Sequence, residues 1–177
     1  GMALSLQTEN PKTLKEIKRR NLTPKQIDEA INWATERNLN STTELIFGLP
    51  YDTKESFIKF LNSAVSRGFD SILINNLFIV DGIEMARKGY RQKHGIKTKF
   101  RPTNANQGII GETYCAEYEE VVVGSNSISL EDFMFMRLLN FLFYAIFSLG
   151  FYKYFFQFIR HSDIPLVEFL TQLIALP

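Results

Sequence analysis

Cysteine is almost absent from this sequence: Cys115 is the single thiol in 177 residues. One cysteine excludes a disulfide framework within the chain and a self-contained cysteine-ligated metal site, and it suits a reducing, cytoplasmic setting. Histidine is nearly as scarce. His94 and His161 have no ligand-spaced companions, so each reads as a solvated or structural residue. Charge of one sign is also missing, with 20 Lys and Arg against 19 Asp and Glu, and nothing global points to nucleic acid or acidic lipid. The basic run Arg87, Lys88, Arg91, Lys93, Lys97, Lys99 and Arg101 reads as a solvated helix face and loop, balanced by the acidic stretch from Glu112 to Asp132. No P-loop, GxGxxG or Ser-His-Asp set is present, and no repeat, low-complexity tract or basic-then-apolar leader. Neither nucleic acid nor a membrane is therefore expected as a partner.

Aromatic residues are abundant, with 16 Phe and 7 Tyr lying mostly in the last third. The run from Leu138 to Tyr152 is 15 residues long, contains Asn140 and Ser148, and is flanked by Arg137 and Lys153. A spanning helix needs about 20 apolar residues, so this run reads as a buried core helix. Some of its surface is free to face a partner.

Periodicity places short strands at Ala3–Thr8, Thr42–Phe47 and Ser71–Leu77, separated by helical segments. Asn10-Pro11 opens a helix through about Arg20, and Thr23-Pro24 opens one carrying Ile27, Ala30, Ile31 and Ala34. Thr53 caps a helix with an apolar face of Phe57, Ile58, Leu61, Ala64 and Val65, ended by Gly68. Residues 82–94 are predicted helical, with Gly95 beyond the end. Residues 96–128 show no lasting period, although Tyr118–Gly124 can form a strand. Ser129, with Glu131 and Asp132, starts a long aromatic helix that breaks at Gly150 and resumes through about Arg160, and Asp163-Ile-Pro165 starts the last one. Gly1 before Met2 reads as a tag remnant. With the first strand beginning at residue 3, the chain reads as the later part of a barrel.

The strand ends carry the chemistry. On strand one, Leu4 and Leu6 alternate with Ser5 and Gln7, which in a barrel would face inward and hydrogen-bond a polar ligand; an edge strand with one wet face is the equal alternative. Glu44 in strand two is costly to bury alone, so it faces a polar cavity or pairs with a cation such as Arg19. Gly48 allows close backbone approach to a ligand, or simply makes a turn. Strand three ends in Asn75-Asn76, amides at the same mouth. Such strand ends are where an α/β barrel places its chemistry.

Taken in order, Ser5-Leu-Gln-Thr8, Leu14-Lys-Glu-Ile-Lys-Arg19-Arg-Asn21, Thr43-Glu-Leu-Ile-Phe-Gly-Leu-Pro50, Thr53-Lys-Glu-Ser56, Asn75-Asn76-Leu77 and Gly82-Ile-Glu84-Met85 resemble the second half of a radical S-adenosylmethionine enzyme. Phe100-Arg-Pro and Glu119-Glu-Val-Val-Val-Gly resemble the tail of its cobalamin-binding branch. The resemblance implies an incomplete TIM-like (β/α) barrel holding strands four to six in residues 1–95, an irregular or β connecting segment at 96–128, and an aromatic helical extension at 129–177. It implies that Ser5, Gln7 and Arg19 contact the ribose and methionine ends of S-adenosylmethionine, and that Glu44, Ile46, Gly48 and Asn76 border the adenine. The family's cluster needs three thiolates in a C-x-x-x-C-x-x-C loop, which one cysteine cannot supply, and Gly82-Ile83 departs from the usual Gly-Thr. No [4Fe-4S] cluster is expected in the isolated chain. The expectation is a fragment inactive alone, forming a homodimer or completed by another chain; the alternative is a non-catalytic interaction module that binds a protein partner through its aromatic helices.

Overall fold

The protein is described here by a computed structural model covering residues 1–162 and 164–175, with the side chains of Asn104, Ala105, Lys153, Phe156, Gln157 and Arg160 outside the described set. Asp163, expected to start the last helix, also lies outside it. The chain is mixed α/β. A parallel sheet runs in the order β1 (Met2–Gln7), β2 (Ser41–Phe47), β3 (Ser71–Asn76). Between β1 and β2 come α1 (Pro11–Glu16) and α2 (Pro24–Glu36), and between β2 and β3 comes α3 (Lys54–Ser66).

The helix starts follow from capping chemistry. Asn10 accepts from the backbone N–H groups of Lys12 and Thr13, and Thr23/Gln26 and Thr53/Ser56 form reciprocal capping boxes. Helix α1 stops at Glu16, short of the expected Arg20, because Lys18 turns to φ 57°.

One face of the sheet carries the core. Leu6, Leu45, Phe47, Ile72 and Ile74 pack against Ile27 and Ile31 of α2 and Phe57, Phe60, Leu61 and Ala64 of α3. Burial of a side chain such as Leu45 contributes about 1.5–3 kcal/mol. Helices α5 (Leu130–Phe143) and α7 (Leu166–Ile174) extend this core through Met136, Leu139, Phe143, Val167 and Leu170.

The two polar residues inside the aromatic run have a structural task. Asn140 Nδ2 donates to the carbonyl of Ile74 at 2.8 Å and Ser148 Oγ to that of Ile72 at 3.1 Å. These are alternate carbonyls of β3, whose outer edge no strand of the described residues covers, so the pair seals an edge that would otherwise recruit another chain. A π-helical turn, Tyr144–Ser148, follows α5 and carries Ser148. Gly150 (φ 69°) breaks the segment as expected before α6 (Lys153–His161).

Residues 78–124 depart furthest from expectation. Instead of a helix over 82–94, a 3-10 turn (Glu84–Ala86) precedes α4 (Lys88–His94), because Arg87 between them is extended. Gly95 ends α4 at φ 60°, where an added Cβ would collide with Asn126 Oδ1. The segment 96–128, expected to be irregular or β, holds β5 (Lys97–Ile110) and β6 (Thr113–Gly124), a long antiparallel ribbon joined to β4 (Phe78–Ile79) in the order β4-β6-β5. Its far end, residues 106–115, is exposed on both faces. No hydrophobic alternation is required there, so none was readable.

Candidate functional site

Among the described residues, no comparable layer covers the second face of the parallel sheet. Strand alternation places Ala3 and Ser5 of β1, Thr42, Glu44 and Ile46 of β2, and Ser71, Leu73 and Asn75 of β3 on that face. Ala3, Ser5, Glu44 and Asn75 are exposed, and Thr42, Ile46, Ser71 and Leu73 are half-buried. Glu44 stands in register with Leu73, and Ile46 with Asn75. Arg19 does not pair with Glu44. Its Nη2 donates to the carbonyl of Ser5 at 2.6 Å, on the outer edge of β1.

Two of the sequence candidates stand apart from this face. Asn76 is in register with Phe47, on the helix-packed side, so Asn75 is the amide beside Ile46. Gln7 lies past a register shift, opposite Leu45 instead of Ile46, half-buried and with φ 61°. The structure thus places Ser5 and Glu44 on one face, with Arg19 at the edge of β1. Ile46 borders a small apolar cluster of Leu49, Leu77, Ile79 and Val122 over the strand ends, with Ile83 and Met85 packed against it. Gly48 adjoins it: φ is 106°, and an added Cβ would stand 3.2 Å from Leu77 Cβ. The close approach that Gly48 permits is therefore to Leu77, whose N–H bonds Phe47 and whose carbonyl accepts from Val122, tying the two sheets together.

Sequence reasoning missed a buried polar cluster at the same strand ends. Asp52 is 1 % exposed, and its Oδ1 accepts from Thr8 Oγ1 at 3.1 Å and Thr13 Oγ1 at 3.0 Å. Thr13 Oγ1 also contacts the Pro50 carbonyl at 2.7 Å, and Asn21 Nδ2 donates to the Thr8 carbonyl at 2.6 Å. Burial pushes the Asp52 carboxyl up to about 6, with the threonine hydroxyls holding it partly down. Asp52 Oδ2 and Asn21 Oδ1 have no hydrogen-bond partner among the described residues. Asp52 sits two residues past Pro50 and directly before the capping Thr53, so in the sequence it reads as a loop residue and nothing marks its burial.

His94 is structural. It is buried between Tyr51 and Tyr90, with ring centroids at 5.1 and 4.5 Å, and its Nε2 lies 2.9 Å from Glu16 Oε1. Lys93 reaches the same oxygen, and its hydrogen bond, followed by that of His94, holds the Glu16 carboxyl below the usual range. This pair fastens α4 to α1.

The chain's own residues do not fit a thiolate-held cluster: Cys115 lies exposed in the ribbon strand β6. Among the described residues no group of three or more His, Cys, Asp or Glu is placed to hold a metal ion. No helix of the described residues is long and apolar enough to cross a membrane. No protein-family model matches the chain, and no curated protein matches its sequence.

Proposed function

We propose that this chain is one side of a partial (β/α) barrel of the radical S-adenosylmethionine type, carrying part of the S-adenosylmethionine pocket. Catalysis would require the remaining strands and a cluster loop, which these residues do not supply. The observation that carries this reading is the uncovered polar face of the parallel sheet. Parallel sheets in soluble proteins are ordinarily covered on both faces; here one face is packed while Ser5, Glu44 and Asn75 stand open on the other. A barrel lumen has that composition. Because Asn140 and Ser148 close the outer edge of β3, further strands would join at β1. In this reading Arg19, already on the Ser5 carbonyl, and Ser5 itself meet the ribose and methionine ends, and Glu44, Ile46 and Gly48 border the base.

The test is a titration of the isotope-labelled chain with S-adenosylmethionine, followed by backbone amide shifts. Perturbations at Ser5, Glu44, Ile46 and Gly48 that saturate only at millimolar concentration or above are expected, which is about 4 kcal/mol or less of binding free energy. A micromolar site abolished by Glu44→Ala would refute a half-built pocket. Absence of any shift on this face would reject the cofactor reading in favour of the non-catalytic interaction module, which the exposed aromatic surface of the C-terminal helices favours.

A further inference from the structure

The C-terminal helices leave an apolar surface uncovered. Helix α5 exposes Leu130, Met134, Leu138 and Phe141, at spacings of four, four and three along one side, and Tyr144 follows in the π turn. Beyond it, Leu149, Phe151, Tyr152, Tyr154 and Phe158 are exposed, with Phe141 at 69 %, Tyr152 at 77 %, Tyr154 at 84 % and Phe158 at 65 %. Side chains of this size are seldom left so open without a partner surface.

Charge says which partner. From Phe133 to Ser162 the sequence contains no Asp or Glu, while it holds Arg137, Lys153 and Arg160. The near-neutral balance of the whole chain conceals this window, because the acids lie elsewhere. Exposed Arg137 stands beside Leu138 and Phe141 on α5. A second copy docked across a two-fold axis would set like charges against each other. An anionic lipid surface accepts both features: rings enter the acyl boundary, tyrosine hydroxyls stay at the headgroups, and cations meet phosphate. We infer that this aromatic surface, whose acid-free stretch of sequence begins just past exposed Glu131, docks the protein onto anionic bilayers, lying on them and not crossing them. This departs from the expectation of no membrane partner. It uses none of the residues named on the open sheet face, so either proposal can fail alone.

The test is co-sedimentation of the full chain with vesicles of phosphatidylcholine alone and with vesicles containing phosphatidylglycerol as well. Binding on the order of tenfold stronger to the anionic vesicles, weakened by added salt, is expected. The double variant Tyr154→Ser, Phe158→Ser alters only exposed positions and should lose most of that binding, with its circular dichroism unchanged. Arg137→Glu should weaken binding to anionic vesicles alone. No binding to either vesicle, equal binding to both, or undiminished binding by the double variant would overturn the inference. So would self-association that consumes the surface and leaves none for vesicles.

Discussion

Asp52 offers the most demanding test of the structure, because its burial has a thermodynamic signature. A carboxyl held at about 6 in the folded chain, against an ordinary value of 3.8, binds more protons folded than unfolded between those two values. Folding is then most favoured with the proton on, and the contribution of Asp52 declines as pH rises from about 4 to about 6, then levels. The gap between about 6 and 3.8 corresponds to roughly 3 kcal/mol lost by neutral pH. Glu16, Glu84, Glu120 and Asp132 are held below their ordinary range by cations and hydroxyls, so their contributions run the other way and fade in acid. The parent profile therefore mixes both slopes, and the variant Asp52→Asn isolates one. The amide keeps an oxygen to accept from Thr8 and Thr13 and cannot ionise. Urea unfolding, followed by circular dichroism at intervals from pH 4 to pH 8, gives the difference between variant and parent. That difference should move in the variant's favour by about 1–3 kcal/mol as pH rises to neutrality, then stay flat. A difference independent of pH, or one moving towards the parent, would refute the buried, proton-holding Asp52.

Two further substitutions probe the frame. Asn140→Ala removes the donor to the Ile74 carbonyl, and should cost about 1–2 kcal/mol in urea unfolding while raising amide exchange along β3 and aggregation at high concentration. Gly95→Ala forces a Cβ into a φ 60° turn beside Asn126 Oδ1; a loss of at least about 1 kcal/mol in thermal unfolding is expected, with Asn126→Gly in the same chain recovering part of it. A Gly95→Ala chain as stable as the parent would reject the turn geometry.

The three parallel strands, the capped helices between them and the breaks at Gly95 and Gly150 are determined by the sequence itself. They rest on local physics: alternation of period two, apolar residues at helical spacing, and side chains that satisfy free N–H groups at helix starts. Leu6, Leu45, Ile27 and Phe57 declare their burial because an amphipathic element has one face to hide. Only the tertiary structure decided the rest. The ribbon of β5 and β6 is held by cross-strand contacts such as Thr98 on Glu120 and Arg101 on Glu119, with Arg91 of α4 also on Glu120, and its wet faces leave no period to read. The register slip before Gln7 and the parity of Asn75 against Asn76 depend on strand pairing, where one residue exchanges the two faces of a sheet. Asp52 is buried by Thr8 and Thr13, 44 and 39 residues away. Asn140 and Ser148 read as blemishes in an aromatic run until β3 presents them with two open carbonyls. What local sequence cannot hold is the partner at a distance, and burial, register and edge closure are all decided by such partners.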